Sequence, residues 1–136
     1  FAKENITPEL FPLHELKVLL AEDNLVNMMI AKKFMEKWNV SVTCAVNGKE
    51  VIELFDEANF DVLLIDLEMP EIDGYKALEQ IRIKNKTIPA IAFTAAVFED
   101  INLHLLEKGF TDYLQKPFRP EDLHRKIAVY HSSEAV

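Results

Sequence analysis

The chain has 136 residues, a formal net charge of −8 at pH 7 and a sequence pI near 5.0. This length fits one domain, and a content of 49% hydrophobic and 28% charged residues is typical of a soluble globular protein. The acidic balance argues against a nucleic-acid-binding surface, because phosphate recognition normally needs a basic patch.

A single cysteine, Cys44, excludes an internal disulfide and favours a reducing compartment. The sequence shows no signal peptide and no apolar run as long as a membrane span. We therefore expect a cytoplasmic protein without direct membrane contact. The first residue is Phe1 rather than Met, which suggests a segment of a longer polypeptide.

The first 15 residues contain two prolines and show neither helical nor strand periodicity. We predict a tail or linker here, with Leu10, Phe11 and Leu13 packing against the domain or a neighbour. The predicted organisation is an N-terminal tail over residues 1–15, one domain over 16–131 and a C-terminal tail over 132–136.

Five short apolar runs predict strands over residues 17–21, 40–46, 62–65, 89–93 and 110–115. Helical spacing of apolar residues predicts a helix after each strand. The first helix, over residues 25–38, has an apolar stripe formed by Val26, Met29, Ile30, Phe34 and Trp38. The later helices are marked by Val51, Ile52, Leu54, Phe55 and Ala58; by Ala77, Leu78 and Ile81; by Ile101, Leu105 and Leu106; and by Leu123, Ile127 and Val129. This alternation predicts an α/β fold with a parallel sheet and helices on both faces.

Polar residues follow four of the five predicted strands. Glu22 and Asp23 follow the first strand, Asp66 the third, Thr94 the fourth and Lys116 the fifth. Taken singly, each residue has an ordinary explanation as a solvated charge or a hydroxyl bonded to the backbone. The carboxyl ends of parallel strands lie at one edge of the sheet, where open α/β sheets bind ligands. The coincidence therefore favours a functional site.

If the first strand lies beside the third, Asp23 and Asp66 converge near Glu22. Two carboxylates about 5 Å apart repel by about 3 kcal/mol at an effective dielectric near 20, which a cation or a shared proton relieves. Oxygen ligands in a partly open shell suit Mg²⁺. Lys116 and Thr94 can hold phosphoryl oxygens, which completes the parts of a phosphoryl-transfer site.

A bound nucleotide is not the expected phosphoryl donor. The chain has only three glycines and no Walker-type or glycine-rich nucleotide loop. An aspartate can itself be the nucleophile and form an acyl phosphate.

Four segments carry these residues, namely Ala21-Glu22-Asp23-Asn24, Ile65-Asp66-Leu67-Glu68-Met69-Pro70-Glu71-Ile72-Asp73-Gly74-Tyr75, Phe93-Thr94-Ala95 and Lys116-Pro117-Phe118. In order and spacing, over about residues 16–131, they resemble the receiver domain of two-component response regulators. The resemblance implies a flavodoxin-like fold, with a doubly wound five-stranded parallel sheet of order 2-1-3-4-5.

By this resemblance, Asp66 is the phosphoacceptor and takes a phosphoryl group from a phosphohistidine. Glu22 and Asp23 form the family's acidic pair. The resemblance implies that Asp23, Asp66 and the backbone carbonyl of Glu68 hold Mg²⁺. Apart from the resemblance, the Glu68 side chain, two residues after the phosphoacceptor, has two interpretations: simple surface exposure, or a functional role in which it alters the lifetime of the acyl phosphate.

The resemblance also assigns residues to the response that follows phosphorylation. Thr94 and Lys116 would contact the phosphoryl oxygens, and Tyr113 would match the aromatic residue whose orientation changes. The Lys116–Pro117 peptide bond is expected to be cis.

The expected partners are a sensor histidine kinase or a histidine phosphotransfer protein, and the domain would catalyse only its own phosphorylation and dephosphorylation. The pattern from Ala21 to Asn27, with the start at Phe1, resembles receivers of hybrid sensor histidine kinases. We therefore expect the cytosolic part of a hybrid kinase, which can be membrane-anchored. A stand-alone single-domain response regulator is the alternative, and the sequence predicts no oligomeric state.

Three other classes of protein are alternatives to this interpretation. A flavin-binding domain of similar topology would want a hydroxyl-rich phosphate loop where Glu22 and Asp23 stand. A metal-dependent aspartyl phosphatase would place Asp-x-Asp after its first strand. In the third class, a docking module that is never phosphorylated, Asp66 would be incidental.

Overall fold

The structure is a computed structural model that describes residues 10–57 and 59–131. The predictions for Ala58, for residues 1–9 and for residues 132–136 lie outside these ranges. The elements, in chain order, are β1 (Lys17–Ala21), α1 (Leu25–Lys37), β2 (Ser41–Ala45), α2 (Gly48–Glu57), β3 (Val62–Asp66), α3 (Gly74–Lys84), β4 (Ala90–Thr94), α4 (Ile101–Glu107), β5 (Asp112–Gln115) and α5 (Pro120–Ala128).

The five strands form one parallel sheet in the order β2-β1-β3-β4-β5. Every residue of the central strands β3 and β4 is buried, as expected for apolar runs that helices cover on both faces. The predicted fold class and strand order are confirmed. None of the helices in residues 10–57 and 59–131 is long and apolar enough to cross a bilayer.

The sheet separates two hydrophobic cores. One core lies under α2, α3 and α4 and includes Val51, Ala77, Leu78, Ile81, Ile101 and Leu105. The other core lies under α1 and α5 and includes Met28, Ala31, Met35, Trp38, Leu123 and Ile127. Helices on both faces leave the carboxyl edge of the sheet as the open end of the fold.

The predicted apolar stripe of α1 is wrong for its first three members. Val26, Met29 and Ile30 are exposed, and the buried residues of α1 are instead Met28, Ala31 and Met35. Both sets have helical spacing, because apolar residues surround most of this helix. The prediction chose the stripe that faces outward.

The segment just before β1 packs on the core under α1 and α5. Leu13 is fully buried, and its backbone N–H donates to the Trp38 carbonyl at 2.7 Å. His124 of α5 lies with Nε2 at 2.8 Å from the Phe11 carbonyl oxygen. This part of the predicted tail therefore contributes to the domain core.

Side-chain caps fix the starts of two helices near the open edge. Asn24 accepts a hydrogen bond from Asn27 N at the start of α1, and Asp73 accepts one from Lys76 N at the start of α3. Short polar side chains at this position satisfy backbone N–H groups that have no partner inside the helix. Both helices therefore begin at defined points beside the strand ends.

Candidate functional site

Three carboxylates meet at the carboxyl edge of the sheet. β1 and β3 are neighbours with Ala21 opposite Ile65, so the residues that follow them, Glu22 and Asp66, come together. One carboxylate oxygen from each of Glu22, Asp23 and Asp66 lies within 4.8 Å of the other two. The predicted convergence of these acids is therefore present.

The three acids differ in burial. Glu22 and Asp66 are only 0% and 4% exposed, whereas Asp23 is open to solvent. The backbone N–H of Asn24 donates to Glu22 Oε2 at 3.1 Å, and that of Glu68 donates to Asp66 Oδ1 at 3.1 Å. Two backbone hydrogen bonds do not balance two buried negative charges, so the site needs a cation.

Lys116 supplies one positive charge to this cluster. Its Nζ lies 2.9 Å from Glu22 Oε1 and 3.1 Å from Asp66 Oδ2. Burial lowers the pKa of Lys116, but the contacts with Glu22 and Asp66 outweigh it and raise the pKa above its usual value. Lys116 therefore stays protonated and bridges the two buried acids.

Glu22 remains incompletely satisfied. Burial raises the pKa of its carboxyl, and the Lys116 contact offsets this only in part. Oε1 receives no well-aligned hydrogen bond from any group in the described part of the chain, although Lys116 Nζ is near. A buried carboxylate oxygen that has an ion pair but no well-aligned hydrogen bond, in a set of carboxylate oxygens, fits a hard divalent cation.

Thr94 and Tyr113 lie on the two strands beyond β3. Thr94 is buried at the end of β4, and its Oγ1 accepts a hydrogen bond from Ala96 N at 3.0 Å. The hydroxyl hydrogen can still be donated. Tyr113 is half-buried in β5, with Lys126 Nζ 5.5 Å from its ring centroid. The structure thus brings Thr94 to the same sheet edge and places Tyr113 one strand further out.

The chain after Asp66 turns sharply into α3. The backbone N–H of Gly74 donates to the Leu67 carbonyl at 3.1 Å, and a Cβ at position 74 would overlap the carbonyl oxygen of Asp66. Only glycine permits this close approach. The Asp73-Gly74 step therefore packs the first turn of α3 against the backbone of Asp66. Further along, the Lys116–Pro117 bond is cis, as predicted.

Phe93 is a site residue that the sequence analysis missed. Its ring centroid lies 4.7 Å from Lys116 Nζ, beneath the lysine that bridges the acids. The sequence gives no direct signal for this contact, because Phe93 belongs to a uniformly apolar strand. The one available signal is its position, because Phe93 directly precedes Thr94 at the carboxyl end of β4.

Comparison with known proteins agrees with this geometry. The sequence matches the response regulator receiver domain family over residues 18–128. Hybrid signal transduction histidine kinase K of Dictyostelium discoideum is 32% identical over 126 residues, which cover 86% of this chain and 10% of that kinase. The chain spans 10% to 20% of the lengths of several curated kinase and transcription-factor relatives.

Two solved receiver structures superpose closely on the chain. The receiver of a Pseudomonas aeruginosa sensor histidine kinase, with magnesium in its active site cleft, has a TM-score of 0.79 and 30% identity and covers 87% of this chain and 98% of its own. The Saccharomyces cerevisiae Ssk1 receiver, co-crystallised with the phosphotransfer protein Ypd1, has a TM-score of 0.83 and 28% identity and covers 94% of this chain and 95% of its own. The family match, the strand order and the acidic cluster at the sheet edge lead to one conclusion: this chain belongs to the response regulator receiver domain family.

Proposed function

We propose that Asp66 accepts a phosphoryl group from a phosphohistidine and that this modification switches a partner-binding face. The observation that carries the proposal is the bridge of Lys116 between Asp66 and Glu22, beside the cluster of three acids. A nucleophilic carboxylate, a cation site and a lysine around one point are the groups that phosphoryl transfer needs.

The cation is proposed to be Mg²⁺, held by Asp23, Asp66 and the backbone carbonyl of Glu68, with Glu22 in the acidic pair. The all-oxygen donor set and the unsatisfied Oε1 of Glu22 support this choice. When bound, the ion neutralises negative charge that the carboxylates and the phosphoryl oxygens would otherwise share.

In the transfer step, a carboxylate oxygen of Asp66 attacks phosphorus. The O–P bond forms as the N–P bond breaks, and the imidazole of the donor keeps the bonding electron pair. The Glu68 backbone N–H holds the Asp66 carboxylate in orientation. Lys116 Nζ lies 3.1 Å from Asp66 Oδ2. After transfer it can form an ion pair with a phosphoryl oxygen instead.

The switch is proposed to begin at Thr94. Phosphorylation adds a charge of roughly −1.5 to −2 at Asp66, and the buried Thr94 hydroxyl can donate to a phosphoryl oxygen. Movement of the chain after Thr94 would then let Tyr113 turn inward from its half-buried position. The face formed by α4, β5 and α5 would change its shape toward a partner.

The phosphoryl donor is proposed to dock on the exposed apolar face of α1, which consists of Leu25, Val26, Met29 and Ile30. Ile30 and Lys116 line the same cavity of about 270 Å³, so this face adjoins the phosphoacceptor site. The Ssk1 receiver, which has the same fold, was crystallised with a histidine phosphotransfer protein. A histidine phosphotransfer protein or a kinase with similar chemistry therefore suits this face.

We also propose a cytoplasmic location, because the chain has a single cysteine, Cys44, and so forms no internal disulfide, which suits a reducing compartment. The origin in a hybrid kinase stays a prediction. The relatives include both histidine kinases and transcription factors.

The test is incubation with acetyl phosphate and Mg²⁺ followed by intact-mass measurement. We expect one added phosphoryl group on the wild type, none on Asp66→Asn and none without Mg²⁺. Asp61→Asn is the matched control, because Asp61 directly precedes β3 at the end opposite Asp66 and its carboxylate accepts a hydrogen bond from Lys17 N. A docking module that is never phosphorylated would show no added mass in any variant.

A further inference from the structure

A contact between α3 and α4 connects the phosphoacceptor loop to a helix of the switching face. The Tyr75 hydroxyl lies 3.3 Å from His104 Nε2, and the two rings meet edge to face with centroids 5.8 Å apart. Burial, with smaller effects of the Asp73 and Glu68 carboxylates, raises the pKa of Tyr75. The hydroxyl therefore keeps its proton and can pair with the ring nitrogen of His104.

Tyr75 is held firmly at the Asp66 end of this connection. It follows Gly74, whose backbone packs against the Asp66 carbonyl and bonds to Leu67. The Asp73 cap fixes the same turn of α3. A shift of the Asp66 loop therefore moves the Tyr75 backbone with it.

At the other end, α4 is secured unevenly. Past its C-terminus, Arg82 Nη2 and Nε donate to the Gly109 carbonyl at 2.7 and 3.0 Å. At its N-terminus, the cap residue Asp100 has a φ of 64° and makes no side-chain capping hydrogen bond. A left-handed non-glycine residue without a cap stabilises a helix start less than a capped one does. The start of the seven-residue helix therefore depends on tertiary contacts, namely the burial of Ile101 and the contacts of His104.

His104 stands in the middle of this helix and contacts both sides. Its ring lies 5.5 Å from that of Phe98, in the loop that follows Thr94, and faces Tyr75 on the other side. A groove of about 750 Å³ between α3 and α4 is lined by Tyr75, His104 and Arg82 among others. The Tyr75–His104 contact lies at this groove and adds to the core contacts that position α4.

We propose that Tyr75 and His104 form a positioning contact that holds the N-terminal half of α4 in its resting place and releases it when the Asp66 loop moves. This route to the switching face runs through α3 and meets the one that starts at Thr94 where His104 contacts Phe98. The release of α4 rests on the proposed phosphorylation of Asp66. The role of the contact in holding α4 at rest does not depend on phosphorylation.

The test is hydrogen–deuterium exchange of residues 101–107 in the whole chain, with and without Mg²⁺ and beryllofluoride as the acyl phosphate mimic. In the resting state, Tyr75→Phe and His104→Ala should each raise exchange by about two- to tenfold, the factor expected for one lost hydrogen bond. His104→Gln should restore much of the protection, because its amide can pair with the Tyr75 hydroxyl. Leu103→Ala, at an exposed position of the same helix, should leave exchange unchanged.

Beryllofluoride should raise exchange of residues 101–107 in the wild type and raise it much less in Tyr75→Phe, because the contact is already lost there. Resting exchange in Tyr75→Phe equal to that of the wild type would overturn the proposal. So would an equal effect of the mimic on both proteins. If the mimic changed no amide near Asp66 in the wild type, the phosphorylation proposal would fail, and the resting-state comparison would still decide whether the contact holds α4.

Discussion

Lys116 Nζ lies 3.1 Å from Asp66 Oδ2, which places a protonated amine against the carboxylate that is proposed to carry phosphorus. The same nitrogen lies 2.9 Å from Glu22 Oε1, so one cation serves two buried acids. The side chains of this cluster therefore place two buried acids against one lysine. This excess of negative charge determines how substitutions at the site should change the free energy of unfolding.

Removal of Lys116 should destabilise the metal-free protein. In EDTA, Lys116→Met should lower the free energy of unfolding by about 1–3 kcal/mol, because two buried carboxylates lose their shared cation and Lys116 is partly open to solvent. Urea denaturation measures the change. Saturating Mg²⁺ should reduce the difference, because the ion replaces the lost charge.

The control is Lys32→Met, which breaks an exposed 3.9 Å pair with Glu36. It should change the free energy of unfolding by less than about 0.5 kcal/mol. Equal effects of the two substitutions would contradict the role given to Lys116.

Neutralising Glu22 should have the opposite effect. Burial raises the pKa of Glu22 above 4.5 in the folded protein, so folding favours its protonated form. That contribution is fully present below pH 4.5 and is lost as the pH rises through the folded-state pKa. At neutral pH in EDTA, Glu22→Gln should therefore be more stable than the wild type, and the difference should shrink as the pH approaches 4.5.

The measurement for Glu22→Gln is a pair of urea titrations in EDTA, one at neutral pH and one in mild acid. Mg²⁺ should stabilise the variant less than the wild type, since an acid near the ion is lost. A variant that is less stable than the wild type at neutral pH would show that the charged form of Glu22 is favoured in the folded protein.

The sequence predicted the site better than it predicted the packing of α1. Parallel strands share a carboxyl edge, so residues after separate strands could be grouped without knowing any contact, and Glu22, Asp23 and Asp66 do converge. The strand order itself came from the family resemblance, because periodicity does not determine which strands are neighbours. On α1, two stripes had helical spacing, and only tertiary packing selects the one that contains Ala31.

Contacts between side chains that are distant in the sequence could not be predicted from it. Phe93 beneath Lys116 and the Tyr75–His104 pair depend on rotamers and helix placement, which local patterns do not contain. The exposed face of α1 was likewise mistaken for core, and its exposure is what the proposed docking role requires.

A charge on α1 should block docking without blocking chemistry. Met29→Glu should slow phosphoryl transfer from a histidine phosphotransfer protein by tenfold or more, the order expected when an interface contact worth about 1.4 kcal/mol is lost. Its phosphorylation by acetyl phosphate should stay unchanged. Ile83→Glu is the matched control, because Ile83 is 68% exposed on α3 and Met29 is 66% exposed. Similar slowing in both variants would exclude α1 as the docking face.

The Glu68 side chain should shorten the life of the acyl phosphate. Its backbone N–H bonds to Asp66 and its side chain is exposed to solvent, so we expect its carboxylate to accept a proton from a water that attacks the nearby phosphoryl group. Glu68→Ala should therefore hydrolyse its acyl phosphate several-fold more slowly. Loss of phosphorylated protein with time, followed by intact mass, gives the rates. Equal rates for variant and wild type would remove this role.

The most direct test of the account locates the phosphorus itself. After phosphorylation with acetyl phosphate and Mg²⁺, borohydride reduction converts an aspartyl phosphate to homoserine, which peptide mass mapping identifies by position. We predict homoserine at position 66 and at no other acid. Homoserine at another residue, such as the exposed neighbour Asp23, or its absence from a protein that has gained phosphoryl mass, would contradict the central claim.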